Sequence, residues 1–161
     1  MAVSADESVQ RMWADWLQTI RETPETTDLQ YSSWYFADNE KDANELVELV
    51  LAGVKRGTAG SGWEYEHEGK PLPQVGELHI VTDFSGLARC VIRTTRVEVV
   101  PYEQVAAGFA EVEGEGDKSL AHWRSLHWPY FERVHARIGR ESKPDMPVIC
   151  HYFKQLFPAG G

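Results

Sequence analysis

The chain has 161 residues, 42% of them hydrophobic and 25% charged, close to globular averages and long enough to bury well over half of the unfolded surface. No apolar run approaches the roughly 20 residues of a membrane span, and residues 1–7 lack the basic patch and apolar stretch of a signal peptide, so a soluble cytoplasmic protein is expected. The formal net charge of −9, from 25 acidic and 16 basic residues, opposes a clamp on double-stranded DNA. It favours a small ligand, or a short RNA segment gripped at one site.

In residues 7–21, Val9, Met12, Trp13, Trp16, Leu17 and Ile20 recur at steps of three and four, which predicts an amphipathic helix with one buried stripe. Thr23 and Pro24 end it, and residues 31–36 read as a short aromatic strand. Residues 40–52 place Ala43, Leu46, Val47, Val50 and Leu51 on one face of a second helix, with Gly53 where a left-handed residue closes it. Residues 54–62 read as a sharp, Gly/Ser-rich turn, and residues 63–70 show no clear period. A strand is expected over 77–82, a hairpin turn over 83–86 and a second strand over 87–100. In that second strand the apolar residues sit at even positions in Ala88, Cys90 and Ile92 but at odd ones in Val97 and Val99. Such a phase change predicts a β-bulge near residues 94–96, of the kind that bends strands into barrels.

Pro101 suits the first position of a short helix over 102–109. Asp117 suits the N-cap of a longer helix carrying Leu120, Trp123, His127, Phe131, Val134 and Ile138, with Pro129 expected to kink or interrupt it. Residues 147–157 are apolar on both faces, as a covered strand would be. No repeat and no long linker divides the chain, so the reading is one domain over 29–161 with the helix of residues 1–28 packed on it.

Cys90 and Cys150 stand alone inside strands and read as buried thiols. His67, His79, His122, His135 and His151 show no ligand spacing, and no dinucleotide or phosphate-binding loop is present. Neither a metal nor a cofactor is expected. Three groups of residues can carry chemistry. Lys55 and Thr58, three residues apart past a helix stop and followed by glycines, can act as base and nucleophile if burial favours the neutral amine; the ordinary alternative is a solvated lysine at a helix end. Residues 111–117 hold four carboxylates, Glu111, Glu113, Glu115 and Asp117. Their crowding can keep one of them protonated or bind a divalent cation, against the plain reading of a solvated loop. Trp123, Arg124, His127, Trp128 and Tyr130 can stack on a base and contact phosphate, although rings at helical spacing more often form core.

The run from Glu45 to Thr58, a helix closed by Gly53, Lys55 and Thr58, resembles the signature of the ASCH family, as do the segments 73–77 and 109–120 and the later Trp123 and His127. The last two features resemble the larger, YhfF-like branch. The resemblance implies an α+β fold, a PUA-like β-barrel with flanking helices. It also implies recognition of a nucleoside or short single-stranded RNA in a cleft beside Lys55. Some members are metal-independent amidohydrolases of N4-acetylcytidine and related acylated cytidines, and a ribonuclease and a non-catalytic RNA-binding module are the other readings. Carried over, the working set falls on Lys55, Thr58 and Glu113, with Arg56, Trp34, Trp123, Arg124 and His127 as substrate contacts. Backbone N–H groups of residues 57–62 are candidate oxyanion donors. The amidohydrolase pattern has an Arg two residues past the Thr, where this chain has Gly60, which bears on substrate choice.

Overall fold

A serine starts the chain's regular structure: Ser4 accepts a hydrogen bond from the Glu7 N–H at 3.2 Å and caps α1 (Ala5–Thr19). The structure, a computed structural model, describes residues 3–159; Met1 and Ala2, part of the N-terminal stretch read above, lie outside the described residues. Next come β1 (Tyr31–Trp34), α2 (Glu40–Leu51), β2 (Gly57–Ser61), α3 (Gly62–His67), β3 (Leu78–Thr82) and β4 (Ala88–Pro101). A single 3-10 turn (Tyr102–Gln104) leads to α4 (Ala107–Glu113), α5 (Leu120–Arg137) and β5 (Pro147–Phe157). Among the described residues no helix is long and apolar enough to cross a membrane.

The strands form one sheet in the order β1-β3-β4-β5-β2, with β1 parallel to β3, β3 antiparallel to β4, and β2 antiparallel to β5. The α+β class is as expected. The sheet is not closed: its order has two ends, β1 and β2, each only a few residues long.

The chain divides into two compact units. Unit one comprises Met1–Gly53, Gly76–Thr94 and Phe153–Gly161. Its sheet segment is covered on both faces. Trp13, Trp16 and Leu17 of α1 lie against Leu78, Ile80 and Val91 on one side, while Val47 and Val50 of α2 join Phe36, Val81, Cys90, Ile92 and Phe153 on the other. The N-terminal helix thus packs on β3 and β4 through the stripe its sequence periodicity predicts. Unit two comprises Val54–Val75 and Thr95–Tyr152. Its core gathers Tyr102, Val105, Phe109, Ala110, Trp123, Phe131, Met146, Val148 and Cys150.

Several expectations need correction. The 57–62 segment is no turn: Gly57–Ser61 is a strand paired with β5 from Gly57↔Tyr152 to Ser61↔Val148. Its small residues hid a strand whose order comes from pairing rather than from side-chain propensity. Ser61 then caps α3 by accepting from the Glu64 N–H. The expected helix over 102–109 is split into the 3-10 turn and α4, because Val105 and Ala106 take extended backbone angles.

The N-cap of α5 is Ser119, which accepts from the His122 N–H, while Asp117, two residues earlier, accepts from the Ser119 N–H. α5 runs unbroken through Pro129. Pro129 and Ser125, whose carbonyl loses its partner, are both exposed, so water can satisfy that carbonyl. In β4, Val99 is exposed and Val100 packs on the unit-two core. The β3–β4 ladder shifts register between Val81 and Thr82, where Thr82 pairs with Ala88.

Leu17 is fully buried in the α1–sheet contact. Leu17→Ala is expected to destabilise the protein by ~2–5 kcal/mol in chemical denaturation; a loss under ~1 kcal/mol would show that α1 is not part of the cooperative core.

Candidate functional site

Gly53 ends α2 with a φ of +78°, and the chain turns through Val54, Lys55 and Arg56 into β2. Two glycines let this turn lie directly against the end of α4. A Cβ on Gly57 would meet Val112 Cγ1 at 2.9 Å, and one on Gly114 would meet the Val54 carbonyl oxygen at 2.4 Å. The Arg56 N–H donates to the Val112 carbonyl at 2.8 Å and fastens the two segments. Gly114, with a φ of +72°, closes α4 in the left-handed conformation and turns the chain so that Glu113 and Glu115 face the same lysine.

The result is a buried ionic cluster inside unit two. Lys55 Nζ lies 3.2 Å from Glu113 Oε2, and each of these side chains is only 1% exposed. Glu115 Oε2 is 3.9 Å from the same ammonium. α5 completes the set: the Trp123 Nε1–H donates to Glu113 Oε1 at 3.2 Å, and His127, one turn later, places Nε2 3.4 Å from Glu113 Oε2 and 3.8 Å from Glu115 Oε2. His127 stacks on Trp123 with ring centroids 4.2 Å apart. Its Nδ1–H donates to the Trp123 carbonyl at 2.8 Å, so Nε2 is the nitrogen turned to the carboxylates.

These neighbours set the charges. Burial pushes the Glu113 carboxyl up, but the Lys55 ammonium and His127 beside it more than offset this and hold it well below the usual carboxylate range. For Glu115, burial and a hydrogen bond shared with Glu113 dominate and push it up to about 8. Burial pulls His127 down, yet Glu113 and Glu115 leave it above its ordinary value. Near neutral pH the cluster therefore holds Glu113 ionised and Glu115 protonated. Ligand atoms of Glu113, Glu115 and His127 lie within 4.8 Å of one another, a spacing that can hold a metal. The set does not fit a divalent cation, because the Lys55 ammonium already lies against the same two carboxylate oxygens.

Of the residues expected from sequence, Lys55, Glu113, Trp123 and His127 come together. Trp123 is both core and a hydrogen-bond donor to Glu113. Thr58 is half-buried on β2, opposite His151 of β5. Arg56 and Arg124 are exposed, Arg124 donating to the Glu103 carbonyl at 3.5 Å. Trp34 belongs to unit one, where its Nε1–H donates to His79 Nδ1. Glu115, which the sequence offers only as one of an acidic group, joins the same cluster. The structural reading suits His79, bonded to Ser32 and Thr94, and His135, bonded to Ser61 and Ser142. Cys90 and Cys150 are buried free thiols, both pushed up to about 12 by burial.

Two measurements test this geometry. Because the folded state holds the Glu115 proton up to about pH 8 while an unfolded Glu loses it near pH ~4.3, the stability this group contributes is full below ~4.3. It is lost as pH rises toward 8. Denaturation free energies measured across that window are expected to fall less steeply with pH in Glu115→Gln than in the wild type; identical slopes would contradict the assignment. Gly114→Ala combines a left-handed backbone with contact on the Val54 carbonyl and is expected to cost ~2–5 kcal/mol; a neutral effect would show that the α4 end is not held as described.

Comparison with known proteins identifies the family and the fold. The ASCH domain profile matches residues 32–156. The crystal structure of an ASCH domain from Lactobacillus crispatus JV V101 superposes with a TM-score of 0.85 and 35% identity, over 93% of this chain and 94% of that one. Protein EF3133 from Enterococcus faecalis V583 gives a TM-score of 0.82 and 29% identity, over 93% and 90%. The hypothetical protein PH0355, at 14% identity and a TM-score of 0.51 over 78% and 99%, shares the fold alone. No match was found among curated proteins. The helix stop ahead of Lys55, the acidic α4 terminus, and a match spanning most of the chain place it in the ASCH domain family, a PUA-like RNA-binding fold.

Proposed function

We propose that this protein is a cytoplasmic, metal-independent amidohydrolase that recognises a nucleoside, or a short single-stranded RNA segment, beside Lys55 and cleaves an N4-acylated cytidine-type amide. The observation that carries the reading is the Lys55–Glu113 pair, an amine and a carboxylate in contact at 3.2 Å with almost no solvent access. An ammonium in contact with a carboxylate can relay a proton, giving one to Glu113 as it receives another. Lys55 takes the hydroxyl proton of Thr58 as Thr58 Oγ attacks the amide carbonyl. β2 is an end strand of the sheet, and alternate N–H groups of an end strand point away from its partner, which supports their use as oxyanion donors.

Charge distribution supports a ligand without a phosphate chain. Unit one carries 13 acidic against six basic residues, and unit two 12 against ten, so even the half that holds Lys55 is not basic overall. Arg56 and Arg124, both exposed in unit two, remain available to a single phosphate or to a nucleobase face.

The test is hydrolysis of N4-acetylcytidine, followed as cytidine release. Wild-type protein is expected to turn over, and Thr58→Ala and Lys55→Ala to lose at least ~10²-fold in kcat/KM. The Thr58 variant is the cleaner of the two, since removing Lys55 leaves Glu113 buried without its cation. Equal rates in variants and wild type would contradict the proposal. Saturable cytidine binding without turnover would point to a recognition module. RNA binding that weakens steeply with salt would point to a polyanion substrate.

A further inference from the structure

We infer that Glu115 is a second working carboxyl of this site: it holds a proton between itself and Glu113 and delivers it to the nitrogen that leaves when the amide bond breaks. The inference rests on the amidohydrolase reading above.

The two carboxyls are not equivalent. Glu113 has both oxygens engaged, Oε1 by the Trp123 N–H and Oε2 by Lys55 and His127. Glu115 Oε2 is equally shielded from water but has no hydrogen-bond partner among the described residues; Lys55 and His127 approach it only at 3.9 and 3.8 Å. A saturated carboxyl is stable ionised, whereas a buried oxygen without donors is stable when a proton lies on its own carboxyl and bonds to the neighbour. The asymmetry of donors thus assigns the negative charge to Glu113 and the proton to Glu115. The upward shift of Glu115 to about 8 agrees with this.

Access points the same way. The side chains of Lys55 and Glu113 are 1% exposed and that of Glu115 is 14% exposed, which makes Glu115 the least enclosed of the three. The charged and titratable groups around it are Glu113 on α4, Lys55 ahead of β2 and His127 on α5, with the Cys150 thiol of β5 near enough to feel Glu113. None of them competes for the role: Lys55 and His127 act as donors to Glu113, and Cys150 is pushed up to about 12.

The chemistry balances. Thr58 Oγ bonds to the carbonyl carbon while its proton passes through Lys55 to Glu113. The C–N bond breaks, the Glu115 proton moves to the nitrogen, and the neutral amine departs. One proton still lies between the two carboxyls, now on Glu113, and a shift along their shared hydrogen bond restores the starting state. Water then attacks the acyl-threonine carbonyl and gives its proton to the ionised carboxyl. The C–Oγ bond breaks, that proton returns through Lys55 to Thr58 Oγ, and the carboxylic acid is released.

The experiment compares N4-acetylcytidine with p-nitrophenyl acetate, whose leaving group departs without being protonated, in wild type and Glu115→Gln. The glutamine keeps a donor toward Glu113 and so preserves the fold. Glu115→Gln is expected to lose ~10²–10⁴-fold on the amide and less than about tenfold on the ester. Equal activity of the variant and wild type on the amide overturns the donor role while leaving the hydrolase reading intact. Parallel loss on both substrates overturns it in favour of a structural role. No amide turnover by wild type overturns the hydrolase reading and the donor role together. A carbon-13 titration of the wild-type glutamate carboxyls decides the proton itself, without any substrate: a Glu115 midpoint near 8 supports the assignment, and one near ~4.3 overturns it.

Discussion

An ammonium and a carboxylate in contact, both almost wholly removed from water, set the terms for the Lys55-bearing half of this chain. Burying either charge alone is costly by several kcal/mol, and mutual attraction repays that only when geometry is good and the remaining lone pairs are satisfied. Here the second condition is met by α5. Trp123 and His127, one turn apart, supply hydrogen bonds to the two oxygens of Glu113, and their stacked rings fix the direction of both donors. The rest of the local architecture serves the contact. Gly53 stops α2 just ahead of Lys55, and Gly57 and Gly114 have no Cβ where the two backbones meet. The Arg56–Val112 hydrogen bond closes the junction.

A fold of this kind does not dictate a reaction. What distinguishes the site is an inventory of protons: one carboxylate with its donors in place, one carboxyl that keeps its proton, and an amine between them. Such a set can hand a proton inward and another outward without either charge entering bulk water. That is the requirement of amide cleavage, in which a nucleophile must lose a proton and a poor leaving group must gain one. The same inventory is a weak match to phosphodiester chemistry, which needs several donors aimed at a developing anionic phosphorus centre. The ammonium and the imidazole of the cluster already face carboxylates.

Much of this was legible in the sequence. The stripes of α1 and α2, the glycine that ends α2 and the apolar run of β5 are each local signals. β2 was not legible: Gly57, Ala59 and Gly60 carry no strand propensity, and the segment is a strand only because β5 lies beside it. The alternation in β4 misled in a related way. Val97 and Val99 look like a change of face, but Val99 is exposed and Val100 is the residue that reaches the core. At the site, Lys55 stands out by its place past the helix stop and Glu113 as one of the acidic run, and family resemblance pairs them. The acidic run suggested that one carboxyl would keep its proton, but not which one. Glu111 and Asp117 are exposed and Glu113 is buried. Only the left-handed turn at Gly114 decides that Glu115 joins the cluster.

Lys55 and Glu113 act as one buried unit. A double-mutant cycle on Lys55→Met and Glu113→Gln, read by chemical denaturation, tests it most directly. Each single change should cost ~3–5 kcal/mol by leaving a buried group without its counter-charge. The double change should cost less than the sum by more than ~1 kcal/mol. Additive losses, agreeing within ~0.5 kcal/mol, would mean that the two groups do not depend on each other, and the proton inventory built on their contact would fall with them.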